Sequence, residues 1–127
     1  MNAFLPHAAI VAVGGGLGAV ARFAVSHWLL PHSLNQRFPW PTFAVNVAGC
    51  LVAGALFAYA AKHSAFSPGL RLFLFTGLLG GFTTFSAFGL ETVNLLKRGD
   101  MAMAALYVLA SVACGLAAIG LAYRFTP

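Results

Sequence analysis

The sequence is short of charge. Charged residues make up 7% of its 127 positions, and only two of them, Glu91 and Asp100, are acids. A water-soluble domain carries about 25% charged residues. So few cannot cover a solvated surface, and a disordered chain is excluded because disorder needs polar, charge-rich sequence. The formal charge of +5 rests on seven Lys and Arg scattered along the chain. That is too thin for a nucleic-acid surface, where basic residues gather on one face. Two cysteines, Cys50 and Cys114, both inside apolar runs, give no disulfide scaffold and read as small buried hydrophobes. No basic segment opens the chain, so the apolar stretch after Pro6 reads as a retained span and not a signal peptide. With two acids, carboxylate-pair catalysis has almost no material. His7, His27, His32 and His63 show no metal spacing and sit near span ends, as interfacial histidines do.

What the chain has in abundance is hydrophobic residues, at 61%. No charge occurs in 1–21, 38–61, 72–90 or 101–123. A spanning helix needs about 20 apolar residues. The pattern predicts an all-α integral membrane protein, a single four-helix domain over 1–127, with helices at about 8–30, 43–61, 70–95 and 101–123. A membrane barrel would show short alternating segments instead. Pro31, Pro39 and Pro41 mark the first connection, Ser67-Pro68-Gly69 the second and Lys97-Arg98-Gly99-Asp100 the third.

Loop charges set orientation. Lys62, Arg71 and Arg124 fall on one side and Arg37, Lys97 and Arg98 on the other, leaving Arg22 as the only tiebreaker. Such a chain is able to insert both ways and pair with an inverted copy. The alternative is that Arg22 orients it one way, and charge alone leaves the two even. Small residues favour close helix contact: Gly14 and Gly18, and Gly77 and Gly81, are each four apart. The run from Gly14 to Ala19 fits a dinucleotide pattern formally, but no strand precedes it and residue 35 is Asn, so helix packing is the better reading.

Polar residues inside spans carry the information. Arg22 either snorkels to the headgroups, acts as an anion-attracting vestibule charge, or ties a loop carbonyl. Glu91 either pairs with a cation or positions the third helix. Thr42 and Asn46 share one face of helix 2, and Tyr107 and Ser111 share one face of helix 4. An isolated Ser or Thr usually bonds its own helix, but an Asn amide must find a partner. In helix 3, Gly80-Gly81 followed by Thr83-Thr84 makes a weak helix, because Gly costs about 1 kcal/mol relative to Ala. A break there would free carbonyls able to hold Na⁺. An intact helix using its glycines for contact is the other possibility. Phe85 and Phe88, three apart, are either core or lipid-facing rings, or a pair whose positive edges turn toward a small anion.

Three segments resemble the Fluc/CrcB fluoride channels. They are Gly15 to Phe23, Pro41 to Gly49, and Thr76-Gly77 through Thr83-Thr84-Phe85-Ser86-Ala87-Phe88. The resemblance implies an antiparallel, dual-topology homodimer in a prokaryotic plasma membrane, with two pores that let fluoride leave the cell passively. It implies a pore lined by Asn46, by the paired rings Phe85 and Phe88, by Tyr107 and Ser111 on helix 4, and by Thr42 along the route. It also implies a central structural Na⁺ held by the Gly80 and Thr83 backbone carbonyls of both copies, with Arg22 and Glu91 matching family positions. Gly115 stands where some members carry a Ser, and Ala87 replaces a Thr. One competing reading is a small four-helix, proton-coupled multidrug cation exporter. It needs an acid in helix 1, where this chain has Arg22. Another is a non-conducting assembly subunit, which would explain the glycines but not the polar stripes.

Overall fold

The computed structural model describes residues 2–64 and 66–127. Four apolar spans run Phe4–Ser33 (α1), Trp40–His63 (α2), Pro68–Lys97 and Met101–Phe125. Each is long and apolar enough to cross a bilayer, and no strand occurs among the described residues. Every span outruns its sequence-based bounds. α1 carries Pro31 in its last turn, so that proline does not end the helix as expected. In α2, Pro41 falls in the first turn, where its missing N–H would have had no helical acceptor. The third span starts at Pro68 and not after it, because Ser67 Oγ caps the Leu70 N–H at 3.2 Å.

The third span is composite. A short turn, Pro68–Arg71 (α3), leads into a π-helix over Leu72–Leu79, whose exit shows the wide winding in a bond from Gly80 N–H to the Phe75 carbonyl. One α turn, Gly80–Phe82 (α4), follows, and then the helix breaks. Thr83 and Thr84 are extended, with ψ of 157° and 113°. A new helix, Phe85–Lys97 (α5), starts with Thr84 as its cap. The sequence placed the weakness between Gly80 and Thr84. In the structure the glycines stay helical and the threonine pair opens. Met101–Phe125 (α6) completes the bundle, capped by Asp100, whose other oxygen pairs with Arg37 at 3.1 Å.

Packing is by backbone approach, because lipid gives helices no hydrophobic reason to associate. α1 lies along the π-helix and α4, and α2 lies along α6. A Cβ on Gly14 would stand 2.7 Å from the Phe73 carbonyl oxygen, and one on Gly18 would collide with the Leu78 carbonyl and the Phe82 nitrogen. Gly81 would collide in turn with the Gly15 carbonyl. The two glycine pairs seen in the sequence therefore mesh with each other within the one chain. At one end a small core forms from Phe38, Leu95, Ala104 and Tyr107, with the Phe38 ring edge-on to Tyr107 at 5.3 Å.

Gly18→Ala should lower thermal stability in detergent by about 1–3 kcal/mol or prevent folding, as overpacking does. Gly16→Ala, where nothing lies within 4 Å, should stay within about 0.5 kcal/mol of the parent. Equal melting of the two variants would refute this packing.

Candidate functional site

An interrupted helix strands backbone groups, and at membrane depth no water is there to meet them. The residues around Thr83-Thr84 are arranged to answer that problem. Asn46, on α2, turns its amide onto the break. Its Oδ1 accepts from Thr84 N–H at 2.8 Å, and its Nδ2 donates to the Thr84 carbonyl at 3.0 Å. Arg22, half-buried on α1, donates from Nε to the Gly81 carbonyl at 3.0 Å. It ties the bundle together and does not snorkel outward. Thr84 Oγ1 accepts from Ala87 N–H at 3.2 Å, which starts α5. An unbroken helix would aim Thr84 N–H at the Gly80 carbonyl and Ala87 N–H at the Thr83 carbonyl. Both donors are diverted to side chains. Thr83 Oγ1 bonds back to Leu79.

A groove of about 280 Å³ opens beside the break. It is lined by Asn46, Thr83, Thr84, Phe85, Phe88 and Ser111, with Cys50 and Val112. Five of the predicted residues thus converge: Asn46, Thr83, Phe85, Phe88 and Ser111. The two Phe rings lie 5.6 Å apart at 41°. Phe85 is 84% exposed, an outlying position for a ring beside a groove. Asn46 spends one Nδ2 hydrogen on Thr84 and keeps the other. Ser111 Oγ is buried and has no hydrogen-bond partner, the one such side-chain atom among the described residues.

On the other side of Thr84 lies a larger cavity of about 520 Å³. Arg22, His27, Arg37 and Arg98 line it with Ser26, Gln36, Asn94, Thr42 and Glu91. Three guanidiniums face one lining carboxyl, and even with Arg37 paired to Asp100 the cavity keeps a net positive charge. Thr84 lines both spaces, so the break is the partition between them.

Thr42, Tyr107 and Glu91 do not join the groove. Thr42 Oγ1 and Tyr107 Oη donate to the two Glu91 oxygens, each at 2.6 Å. Glu91 meets hydroxyls here, and no cation bridges it among the described residues. Tyr107 is fully buried, its ring 5.1 Å from Phe88. It shares a helix face with Ser111 but lies under the Phe88 ring, outside both cavity linings. One carboxyl thereby ties α2, α5 and α6 at the wall of the larger cavity. Gly80 is exposed, and a Cβ there would make only an ordinary 3.6 Å contact with Phe75 O, so packing within the chain does not require glycine.

The sequence missed two features. Cys50, a small buried hydrophobe by its sequence context, is half-buried and lines the groove. The sign available for it was its position four residues after Asn46, on the same helix face. His27, read as an interfacial residue, lines the electropositive cavity.

Asn46→Asp puts a second acceptor against the Thr84 carbonyl, and an unmet buried polar group costs about 1–3 kcal/mol. The variant should melt lower in detergent and lose amide protection at Thr84. Unchanged protection would show that Asn46 does not hold the break.

The sequence profile of the CrcB-like protein, Camphor Resistance (CrcB) family matches residues 9–123. A protein of Methylobacillus flagellatus named "Fluoride-specific ion channel FluC" is 52% identical over 115 residues, covering 91% of this chain and 90% of that one. Proteins of the same name from Rhizobium etli and Flavobacterium psychrophilum are 46% and 45% identical, covering 87% and 85% of this chain and 87% and 86% of their own lengths. Bacterial relatives and four apolar spans mark a multi-pass protein of a prokaryotic plasma membrane, in a family of ion channels and not of enzymes. Matched along nearly its whole length, the chain belongs to the CrcB family.

Proposed function

We propose that this protein is a passive fluoride channel that lets the ion leave the cytoplasm and so limits its toxicity. The observation that carries the reading is the unpartnered Ser111 hydroxyl in a groove walled by Phe85, Phe88 and Asn46. Fluoride is small and strongly hydrated, so a path must replace its water. The groove supplies the Ser111 O–H, the free Nδ2 hydrogen of Asn46 and the positive edges of two rings. These are few and neutral donors, weak enough for the ion to leave again. The cavity with Arg22, Arg37 and Arg98 gathers anions before the partition at Thr84. Because Tyr107 and Thr42 give their hydroxyls to Glu91, their part in permeation runs through that carboxyl, which their bonds hold in the wall of the electropositive cavity.

The working unit in this reading is an antiparallel homodimer with two pores. An 84% exposed Phe85 and a groove open on one side support it, since a second copy would close the groove and cover the ring. The near-even loop charge supports insertion both ways. A structural Na⁺ at the dimer centre fits the carbonyls of Gly80 and Thr83, the two whose helical donors are diverted to Asn46 and to Thr84 Oγ1. Hard oxygen donors suit such a cation, which would supply charge neutralisation where two breaks meet.

Fluoride efflux from proteoliposomes, without any proton gradient, tests the function. The protein should release fluoride and retain chloride, and vesicles as tight as empty ones would sink the proposal. Phe85→Ile should cut efflux by about tenfold while the protein remains assembled, as loss of an aromatic interaction would. Replacing Na⁺ by N-methylglucamine should shift the dimer toward monomer on size-exclusion chromatography. A dimer indifferent to Na⁺ would remove the ion from the account.

A further inference from the structure

The polar column on α6 stops early in the sequence, because Gly115 follows Ser111 by four residues and offers no side chain. The structure fills that gap from the opposite wall. On α2, Cys50 follows Asn46 by the same interval, and Asn46, Cys50 and Ser111 all line the groove. A Cβ added to Gly115 would lie 3.4 Å from Cys50 Sγ. The sulfur therefore rests over the buried glycine, in the space a side chain at 115 would enter. Ser111, in the same groove lining, has an Oγ with no protein partner. Thr83, Thr92 and Thr126 all spend their hydroxyls on the carbonyl four residues back. Ser111 does not, and a hydroxyl left unmet at this depth calls for a guest in the groove. Cys114, by contrast, is exposed on α6 and lines neither the groove nor the electropositive cavity.

We propose that Cys50 is a pore-facing thiol whose S–H continues the donor column beyond Ser111, crossing from α6 to α2 where Gly115 makes room, and that it makes the pore a site for soft metal ions. The inference rests on the fluoride-channel reading. A thiol is a weak donor, which suits a step the ion must leave. It is also the soft ligand of the groove. Ag⁺ takes the place of the thiol proton, the proton passes to buffer, and an S–Ag bond forms with no change of oxidation state. The bound metal then obstructs the column.

The experiment is fluoride efflux from proteoliposomes in chloride-free nitrate buffer, with and without Ag⁺. Cys114→Ala should conduct like the parent, and Ag⁺ should bring both to the level of empty vesicles. Cys50→Ala should conduct about three- to tenfold more slowly, the worth of one hydrogen bond, and should ignore Ag⁺. Cys50→Ser should recover the parent rate and also ignore Ag⁺. Adding Gly115→Ser to Cys50→Ala should restore flux by returning a donor from the α6 side. Parent efflux that Ag⁺ leaves untouched, or Cys50→Ala efflux at the parent rate, overturns the inference and spares the channel. No efflux from the parent itself overturns the channel reading, and the inference with it.

Discussion

The break at Thr83-Thr84 governs the rest of the structure. Backbone N–H and C=O groups cannot be left bare at membrane depth, where each unmet group costs several kcal/mol. Opening a helix there is possible only if other helices come forward with polar side chains. α2 brings Asn46 and α1 brings Arg22, each to a specified backbone atom. The positions of two helices are thus set by the needs of a third. The same arrangement leaves Gly80 and Thr83 carbonyls without their helical donors and turns Phe85 outward at the start of a new helix.

Close approach of the backbones is the second requirement, because Arg22 reaches Gly81 only if α1 lies against the third span. Glycine makes that distance available. Gly14, Gly18, Gly77 and Gly81 interlock so that a Cβ at any of them would press on backbone of the other helix. Little else holds the bundle: Tyr107 and Val45 are the largest fully buried side chains. Much of the large apolar surface, from Leu17 to Phe57 and Leu109, faces outward, as lipid or another protein surface allows.

Polar residues divide into two sets that the helix faces alone do not separate. Thr42 and Tyr107 are satisfied by Glu91, which locks α2, α5 and α6. Asn46 is satisfied in part and Ser111 not at all, and both line the groove. A hydroxyl that has a carboxyl to donate to is structural, and one that has none is available to a guest. Tyr107 and Ser111 look equivalent on a helical wheel, yet the Phe88 ring covers one and leaves the other beside the groove.

Composition determined the class by itself, since four charge-free runs of 19 or more residues in a chain 61% hydrophobic have the length and polarity of membrane helices. The weak point in the third span was legible in Gly80-Gly81 and Thr83-Thr84, because poor helix formers in a row need no partner to be poor. The specific motifs around Asn46 and Phe85 pointed to the site for the same reason: they are local. Which residue meets which was decided by tertiary structure alone. Asn46 bonds Thr84 across 38 residues, Arg22 bonds Gly81 across 59, and Thr42 bonds Glu91 across 49. Periodicity assigns a residue to a face of its own helix but says nothing of what stands opposite. Only the packed bundle could turn Cys50 from a hydrophobe into a wall of the groove, because its surroundings are set by Gly115 on another helix.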